Sequence, residues 1–212
     1  MIVALVEEVV SLGTREVALL RPRESDALID EGAFEHEEFL PYWAELWPST
    51  LALARAVAAR QLEGTHVVEL GSGLGAPSIA AAISGARVLA TDWCPDAVSL
   101  AARNAARNGA TIEAAICSWT SPRRLLVEAP WDLVLASDVL YERRHVEQLL
   151  ALFPRLTDGH GEVLLADPGR PPAAAFLERA RDEWRIETRR DPLTGLAIYR
   201  LRKLRRRRGG PA

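Results

Sequence analysis

Apolar and polar positions change places along this chain in blocks. From Thr65 onward, short and mostly apolar runs return at intervals: Thr65–Leu70, Arg87–Thr91, Thr111–Ile116, Asp132–Ser137 and Glu162–Ala166. Such runs read as strands buried on both faces. Between them lie helix candidates over Ala76–Ser84, Pro95–Asn108, Arg123–Glu128, Arg143–Phe153 and Ala173–Glu183, with Asn108-Gly109 as a helix stop. Strand–helix alternation predicts a doubly wound, mainly parallel α/β sheet. Two more strand candidates, Arg185–Thr188 and Ala197–Leu201, are joined by Asp191-Pro192-Leu193-Thr194-Gly195 with no helix between them. They should pair as a C-terminal antiparallel hairpin.

The N-terminal part has a different pattern. Ile2–Val10 and Glu16–Leu20 are rich in Val and Leu around Ser11-Leu12-Gly13-Thr14, which reads as a small hairpin or two short strands. Arg21 to Glu38 is polar and reads mostly as loop. Then come Tyr42, Trp43 and Trp47, just before a helix candidate, Leu51–Arg60, that Ser49 or Thr50 can cap. The expected organisation is an N-terminal extension over 1–40 packed on the core, one α/β domain over 41–202, and a basic tail over 203–212.

Composition narrows the classes. A length of 212 residues suits one α/β domain, and 49% hydrophobic residues suffice for a sizeable core. The net charge of -3 gives no reason to expect nucleic-acid binding, although Arg202, Lys203 and Arg205–Arg208 crowd the C-terminus. That run reads as a solvated tail, with docking of an acidic protein partner or RNA as the alternative. Cys94 and Cys117 give neither a disulfide framework nor a metal spacing, which fits a reduced, cytoplasmic setting. No apolar run approaches the roughly 20 residues of a membrane span, and the start carries Glu7 and Glu8 rather than a signal peptide's positive region.

The sharpest chemical signal is Val67-Val68-Glu69-Leu70-Gly71-Ser72-Gly73-Leu74-Gly75, a buried strand running into a glycine-rich turn and then a helix. Glycines there let backbone approach a ligand where a Cβ would clash. Asp92 ends the next strand, where a carboxylate can accept hydrogen bonds from both ribose hydroxyls of an adenosine ligand. These features alone would also suit a dinucleotide enzyme. Glu69 before the turn argues against that, since it would repel a pyrophosphate but tolerate a cationic ligand. The chain also leaves little room for a separate substrate domain.

Glu-Leu-Gly-Ser-Gly-Leu-Gly followed by Ala-Thr-Asp resembles the first motif and the second-strand acid of the seven-strand methyltransferases that use S-adenosylmethionine (SAM). Glu45-Leu46-Trp47-Pro48, Ala101-Ala102-Arg103-Asn104, Cys117-Ser118-Trp119 and Ser137-Asp138-Val139-Leu140-Tyr141 resemble one branch, the lysine methyltransferase-like family (methyltransferase family 16). Asp167-Pro168-Gly169-Arg170 and Pro41-Tyr42-Trp43-Ala44 are similar to segments of the electron-transfer-flavoprotein β-subunit lysine methyltransferases and their bacterial relatives. The resemblance covers about Pro41 to Arg170. It implies a Rossmann-like seven-strand fold with a short N-terminal cap, and methyl transfer from SAM to nitrogen.

By that resemblance, Trp47, Glu69, Gly71, Ser72, Gly73, Gly75, Asp92, Trp93, Trp119 and Ser137 hold the cofactor. Trp47 covers its methionine end and Trp119 packs on adenine. Asp138 and Tyr141 are the expected catalytic pair. A lysine acceptor arrives as ammonium, and with a reference pKa near 10.4 only about one amine in a thousand is free at neutral pH, a cost of roughly 4 kcal/mol. A carboxylate at Asp138 can orient the nitrogen, but it also favours the ammonium and cannot by itself deprotonate it. Asp138 is therefore a positioning group, or a proton acceptor through water. Tyr141 adds to an aromatic wall on which a cation can rest. No metal is expected, and His36, His66, His145 and His160 are dispersed and read as structural or exposed. Cys117 reads as a small buried hydrophobe. The expected acceptor is a lysine on a protein. A small-molecule acceptor is the alternative, and a SAM-binding interaction module without turnover is the rival from another class.

Overall fold

The computed structural model describes residues 4–13, 15–24 and 41–204. It contains two sheets. β1 (Leu5–Ser11) and β2 (Glu16–Pro22) form an antiparallel hairpin. The second sheet has seven strands: β3 (His66–Leu70), β4 (Arg87–Asp92), β5 (Glu113–Ile116), β6 (Leu133–Ser137), β7 (Glu162–Asp167), β8 (Trp184–Arg190) and β9 (Ala197–Lys203). Their order is β5-β4-β3-β6-β7-β9-β8, with only β9 running against the others. The mostly parallel sheet and its C-terminal antiparallel hairpin match the sequence expectation. β9 takes in Lys203, which the sequence reading assigned to the tail, and residues 205–212 lie outside the described residues.

Among the described residues, six α-helices cover the sheet. α1 (Pro48–Ala58), α2 (Ala76–Ile83) and α3 (Pro95–Arg107) share a core with the hairpin: Leu53, Val57, Ile79 and Ala105 pack with Val17 and Leu19. α4 (Arg123–Val127), α5 (Arg143–Leu156) and α6 (Pro171–Ala180) cover the opposite face, where Trp131, Phe153 and Phe176 lie buried. Burying both faces explains why β3, β6 and β7 are apolar almost throughout. β5 corrects the expectation for the third run. It starts at Glu113 rather than Thr111, sits at the sheet edge, and leaves Ile116 59% exposed.

Other boundaries moved for local reasons. Pro48 stands at the first helical position of α1, so the helix begins before Leu51, and neither Ser49 nor Thr50 caps it. Proline is preorganised for that position and its missing N–H costs nothing there. Pro171 starts α6 in the same way. α5 runs through Pro154 to Leu156, past Phe153 where the sequence reading ended it. Asn108 and Gly109 do end α3: Gly109 has φ +66° and the Ala110 N–H returns to the Ala105 carbonyl. Arg21 and Pro22, read as the start of a loop, belong to β2. The rest of that loop, residues 25–38 with His36, lies outside the described residues.

α3 also anchors the hairpin. Asn104 Oδ1 accepts the Leu20 N–H and Asn108 Oδ1 accepts the Ala18 N–H, at 2.8 and 2.9 Å. Their amide groups donate back to the carbonyls of Leu20 and Ala18. The two side chains thereby continue the ladder that β2 would otherwise leave open. Asn104 Nδ2 reaches the Leu74 carbonyl as well, tying this anchor to the glycine-rich turn.

Candidate functional site

The chain runs outward from β3 through β4 to β5, then returns to the other side of β3 as β6. A crevice opens at such a switch point, beyond the carboxyl ends of the strands. The segment after β3 and the segment after β6 meet there: a Cβ added at Gly71 would stand 3.1 Å from Val139 Cγ1. The resulting cleft has two joined parts of about 90 and 180 Å3 that share Gly71, Trp93, Trp119 and Tyr141.

On the β3–β4 side the backbone makes the site. Gly71, Gly73 and Gly75 have φ of +65°, +49° and +83°, a left-handed conformation that costs other residues about 1–2 kcal/mol each. At Gly73 a Cβ would also meet the Trp43 carbonyl oxygen at 3.1 Å. Gly71, Ser72 and Gly73 line the cleft, and the buried Ser72 hydroxyl has no hydrogen-bond partner. Gly75 does not reach it. Gly75 sits at the start of α2, where an added Cβ would press on Ala101.

Asp92 lines the cleft, but its carboxylate is not simply free for a ligand. Oδ2 accepts the Gly73 N–H and Oδ1 the Cys94 N–H, both at 3.0 Å. The Trp93 N–H also bonds this carboxylate, so backbone donors take three of its roughly four acceptor positions. Burial pushes its pKa up, against the pull of those backbone donors. Glu69 departs from its expected role: it is fully buried below the turn, with Oε2 accepting the Ser78 N–H at 2.9 Å and the Ser78 hydroxyl as well. Desolvation raises its pKa to about 8, so at neutral pH it is largely an uncharged acid. It does not line the cleft and cannot repel a pyrophosphate there as a free carboxylate would.

On the β6–β7 side, side chains from several loops converge. Ser137 ends β6 and its hydroxyl pairs with Thr50 of α1 at 2.9 Å. Asp138 follows with φ +58°, the one positive value outside glycine among the described residues. Such a strained backbone is costly and gathers at functional sites. The expectation that Asp138 simply faces an acceptor is incomplete. Its Oδ1 accepts from Arg170 Nη1 at 2.7 Å, while Oδ2 is buried without a partner. Burial raises the Asp138 pKa, and the Arg170 hydrogen bond and charge oppose the rise.

The walls of the cleft are aromatic. Tyr42 comes from a 3-10 turn, Tyr42–Ala44, that the sequence did not reveal. Its ring lies 5.6 Å from that of Tyr141 and 6.2 Å from that of Trp47, centroid to centroid. Trp47 Nε1 donates to the Tyr42 carbonyl at 2.9 Å, fixing the indole over the cleft. Trp119 stands beyond the end of β5 and meets His145 edge-on at 5.3 Å. Burial holds the Tyr141 phenol protonated, with a pKa up at about 12.

Sequence reasoning missed three contributors: Tyr42, His145 and Arg170. His145 was read as structural or exposed, yet it lines the cleft beside Tyr141 with its Nδ1 unpaired. Desolvation lowers its pKa to about 4, so it is a neutral imidazole. Arg170 carried a signal, since it ends the Asp-Pro-Gly-Arg segment, but nothing in that segment shows that it meets Asp138. Cys117 is buried with its thiol pKa pushed up by desolvation, as expected of a small hydrophobe rather than a nucleophile.

Comparison with known proteins agrees with this architecture. A family model described as lysine methyltransferase matches residues 42–182. The chain belongs to that family. It is 36% identical over 135 residues to the electron transfer flavoprotein beta subunit lysine methyltransferase of Danio rerio, covering 61% of this chain and 51% of that protein. It is 35% identical over 147 residues to the ribosomal protein L11 methyltransferase of Synechococcus sp. (strain RCC307), covering 66% of this chain and 47% of that protein. The chain spans about half the length of the curated relatives it matches. Among solved structures, the putative methyltransferase SMU.776 complexed with SAH matches with a TM-score of 0.61 at 12% identity, over 74% of this chain and 50% of that one. The ribosomal protein L11 methylase of Lactobacillus delbrueckii subsp. bulgaricus matches with a TM-score of 0.54 at 25% identity, over 74% of this chain and 79% of that one.

Proposed function

We propose that this protein is a SAM-dependent N-methyltransferase whose acceptor is a lysine side chain of another protein. The observation that carries the reading is the meeting, in one aromatic cleft, of the glycine turn with the buried, half-satisfied carboxylate of Asp138.

The residues present fit SAM. The Ser72 hydroxyl is a buried polar group in need of a partner, and the glycines leave space that side chains would fill. Asp92 retains an acceptor position for a ribose hydroxyl. Trp93 and Trp119 offer flat apolar faces to adenine, and Trp47 and Ser137 border the opposite part of the cleft. Aromatic faces suit a cationic ligand. Bound there, SAM would supply a methyl group on a sulfonium for a deprotonated amine, the C–S electron pair staying on sulfur and the amine's proton passing to solvent. The protein's own task is positioning and exclusion of water. Asp138 orients the acceptor nitrogen, and Tyr42, Trp47 and Tyr141 flank it. Gly75 and Glu69 support the turn from behind rather than touch the cofactor.

A protein acceptor is favoured by the rim of the cleft, where Tyr42 and Trp93 stand 39% and 44% exposed and can meet a surface larger than a metabolite. The first acceptors to test are the electron transfer flavoprotein β subunit and ribosomal protein L11, after which similar proteins are named. A cytoplasmic location is consistent with two free cysteines, and no helix among the described residues is long and apolar enough to cross a membrane.

The test is incubation with tritiated SAM and lysate from a knockout of the source organism, with both candidate acceptors in parallel. Label in a protein band, mapped to lysine, supports the reading. Label only in small molecules would transfer the activity to the small-molecule alternative. SAM binding without any label would leave a binding module.

A further inference from the structure

Arg170 has no place in the scheme above, although the fold goes to some length to aim it. Asp167 ends β7 and its Oδ1 accepts the N–H groups of Gly169 and Arg170 at 2.7 and 2.8 Å, closing the turn. The guanidinium thereby returns across the strand ends. Its Nη1 donates to Asp138 Oδ1 at 2.7 Å and to Asp167 Oδ2 at 3.2 Å, and its Cζ lies 5.9 Å from the centre of the Trp47 ring. Oδ1 of Asp138 is thus committed to Arg170, the Ser49 hydroxyl also donates toward the carboxylate, and Oδ2 is buried with no close hydrogen-bond partner. A buried carboxylate oxygen left empty is costly, and here it belongs to a residue that lines the cleft.

We propose that Arg170 is a positioning residue. It fixes Asp138 through Oδ1, leaves Oδ2 for an N–H of the acceptor amine, and offsets the negative charge that would otherwise hold that amine as ammonium. The proposal rests on the reading of the cleft as a methyl-transfer site. It answers a difficulty in that reading: a lone carboxylate orients an amine but also raises the amine's pKa. A guanidinium at 2.7 Å from the same carboxylate removes much of that penalty while the hydrogen bond to Oδ2 remains.

Asp138 is faced by Asp167 from β7, by Arg170 from the loop after it and by Ser49 from α1, whose hydroxyl hydrogen-bonds the carboxylate and favours its charged form. Tyr141, on its own loop, and Asp92 line the same cleft. Burial and Asp167 raise the Asp138 pKa, and Arg170 is the cation opposing them. Without Arg170, Asp138 would protonate at higher pH and a bound amine would keep its proton to higher pH. Both changes move the acid side of the rate profile upward, so they reinforce rather than cancel.

The experiment has two readouts. The first is 13C NMR titration of the Asp138 carboxyl in cofactor-free protein, with D138N identifying the resonance. R170Q is expected to raise the midpoint by about one pH unit, a tenfold change in the protonation equilibrium. R170K, which keeps a cation but not the planar fork, should restore at least half of that shift. An unmoved midpoint in folded R170Q would overturn the proposal. The second is the rate of tritium transfer from SAM to knockout-lysate proteins between about pH 6.5 and about pH 9.5. R170Q should be about tenfold slower at the low end and approach wild type at the high end, with calorimetric affinity for S-adenosylhomocysteine unchanged. An equal loss at every pH means a structural role and also overturns it. Wild-type protein without transfer at any pH would instead remove the methyl-transfer reading, and the NMR midpoint would still decide whether Arg170 sets the charge of Asp138.

Discussion

Asp92 and Asp138 each stand at the carboxyl end of a central strand region and line the same cleft, yet the fold treats them in opposite ways. Asp92 is held by backbone: the N–H groups of Gly73, Cys94 and Trp93 donate to its carboxylate, and its own φ is not positive. Asp138 is held by a side chain from 32 residues away, keeps one oxygen unpaired, and sits at φ +58°. Backbone donors in a strand–turn–helix unit cannot easily leave, so the first wall is a preformed cradle. The second wall holds an unmet hydrogen bond, which a correctly placed amine can fill. On the proposed function, the difference predicts a division of labour: Asp92 should govern cofactor affinity and Asp138 the reacting geometry.

The sharpest way to break this division is Asp138→Asn. Asparagine tolerates the left-handed backbone that alanine would strain, so folding is preserved while the charge goes. Single-turnover methyl transfer at saturating SAM should fall about a hundredfold, roughly 2.7 kcal/mol of barrier. SAM affinity by calorimetry should stay within about threefold, since a few tenths of a kcal/mol is all a remote neutral change should cost. Near-normal turnover would mean that the acceptor lies elsewhere.

A smaller effect is expected from Asp92→Ala, in the opposite column. SAM binding should weaken by about 1–3 kcal/mol through lost charge-assisted hydrogen bonds to ribose. Turnover at saturating SAM should change much less. A folded mutant with unaltered affinity would take Asp92 out of the cofactor site.

The smallest effect concerns Glu69. Its folded pKa of about 8 lies above the ordinary glutamate value, so the folded state binds a proton more tightly than the unfolded chain does. Stability from this residue is therefore complete below about pH 4.5 and is lost as pH rises toward 8. Glu69→Gln resembles the protonated acid and should change stability little near pH 5, while flattening the decline between those limits. Urea unfolding at several pH values measures it. An unchanged slope in the mutant would show that Glu69 is ionised beneath the turn, and would restore the charge that sequence reasoning gave it.

How far the sequence could be read follows the range of the forces involved. The strand into the glycine turn, the stop at Asn108-Gly109 and the closing hairpin were legible because each is decided within a few neighbouring residues. Pro48 and Pro171 shifted helix starts for equally local reasons, and attention to proline at the first helical position would have found them. Glu69 was misjudged because its chemistry depends on burial: next to a ligand a carboxylate is a charge, beneath α2 beside Ser78 it is a neutral acid.

By itself, then, the sequence determined the alternation that makes a doubly wound sheet, the glycine cradle and the acids that end its strands. Only the tertiary structure decided which of these groups face one another. Strand order brings β6 and β7 side by side, and that neighbourhood sets Arg170 against Asp138 and leaves one carboxylate oxygen open. The same packing lays Asn104 and Asn108 along β2 and swings Tyr42 against Tyr141. Hydrogen bonds and ion pairs act over a few ångströms, and residues distant in sequence come within that reach only after the core has closed.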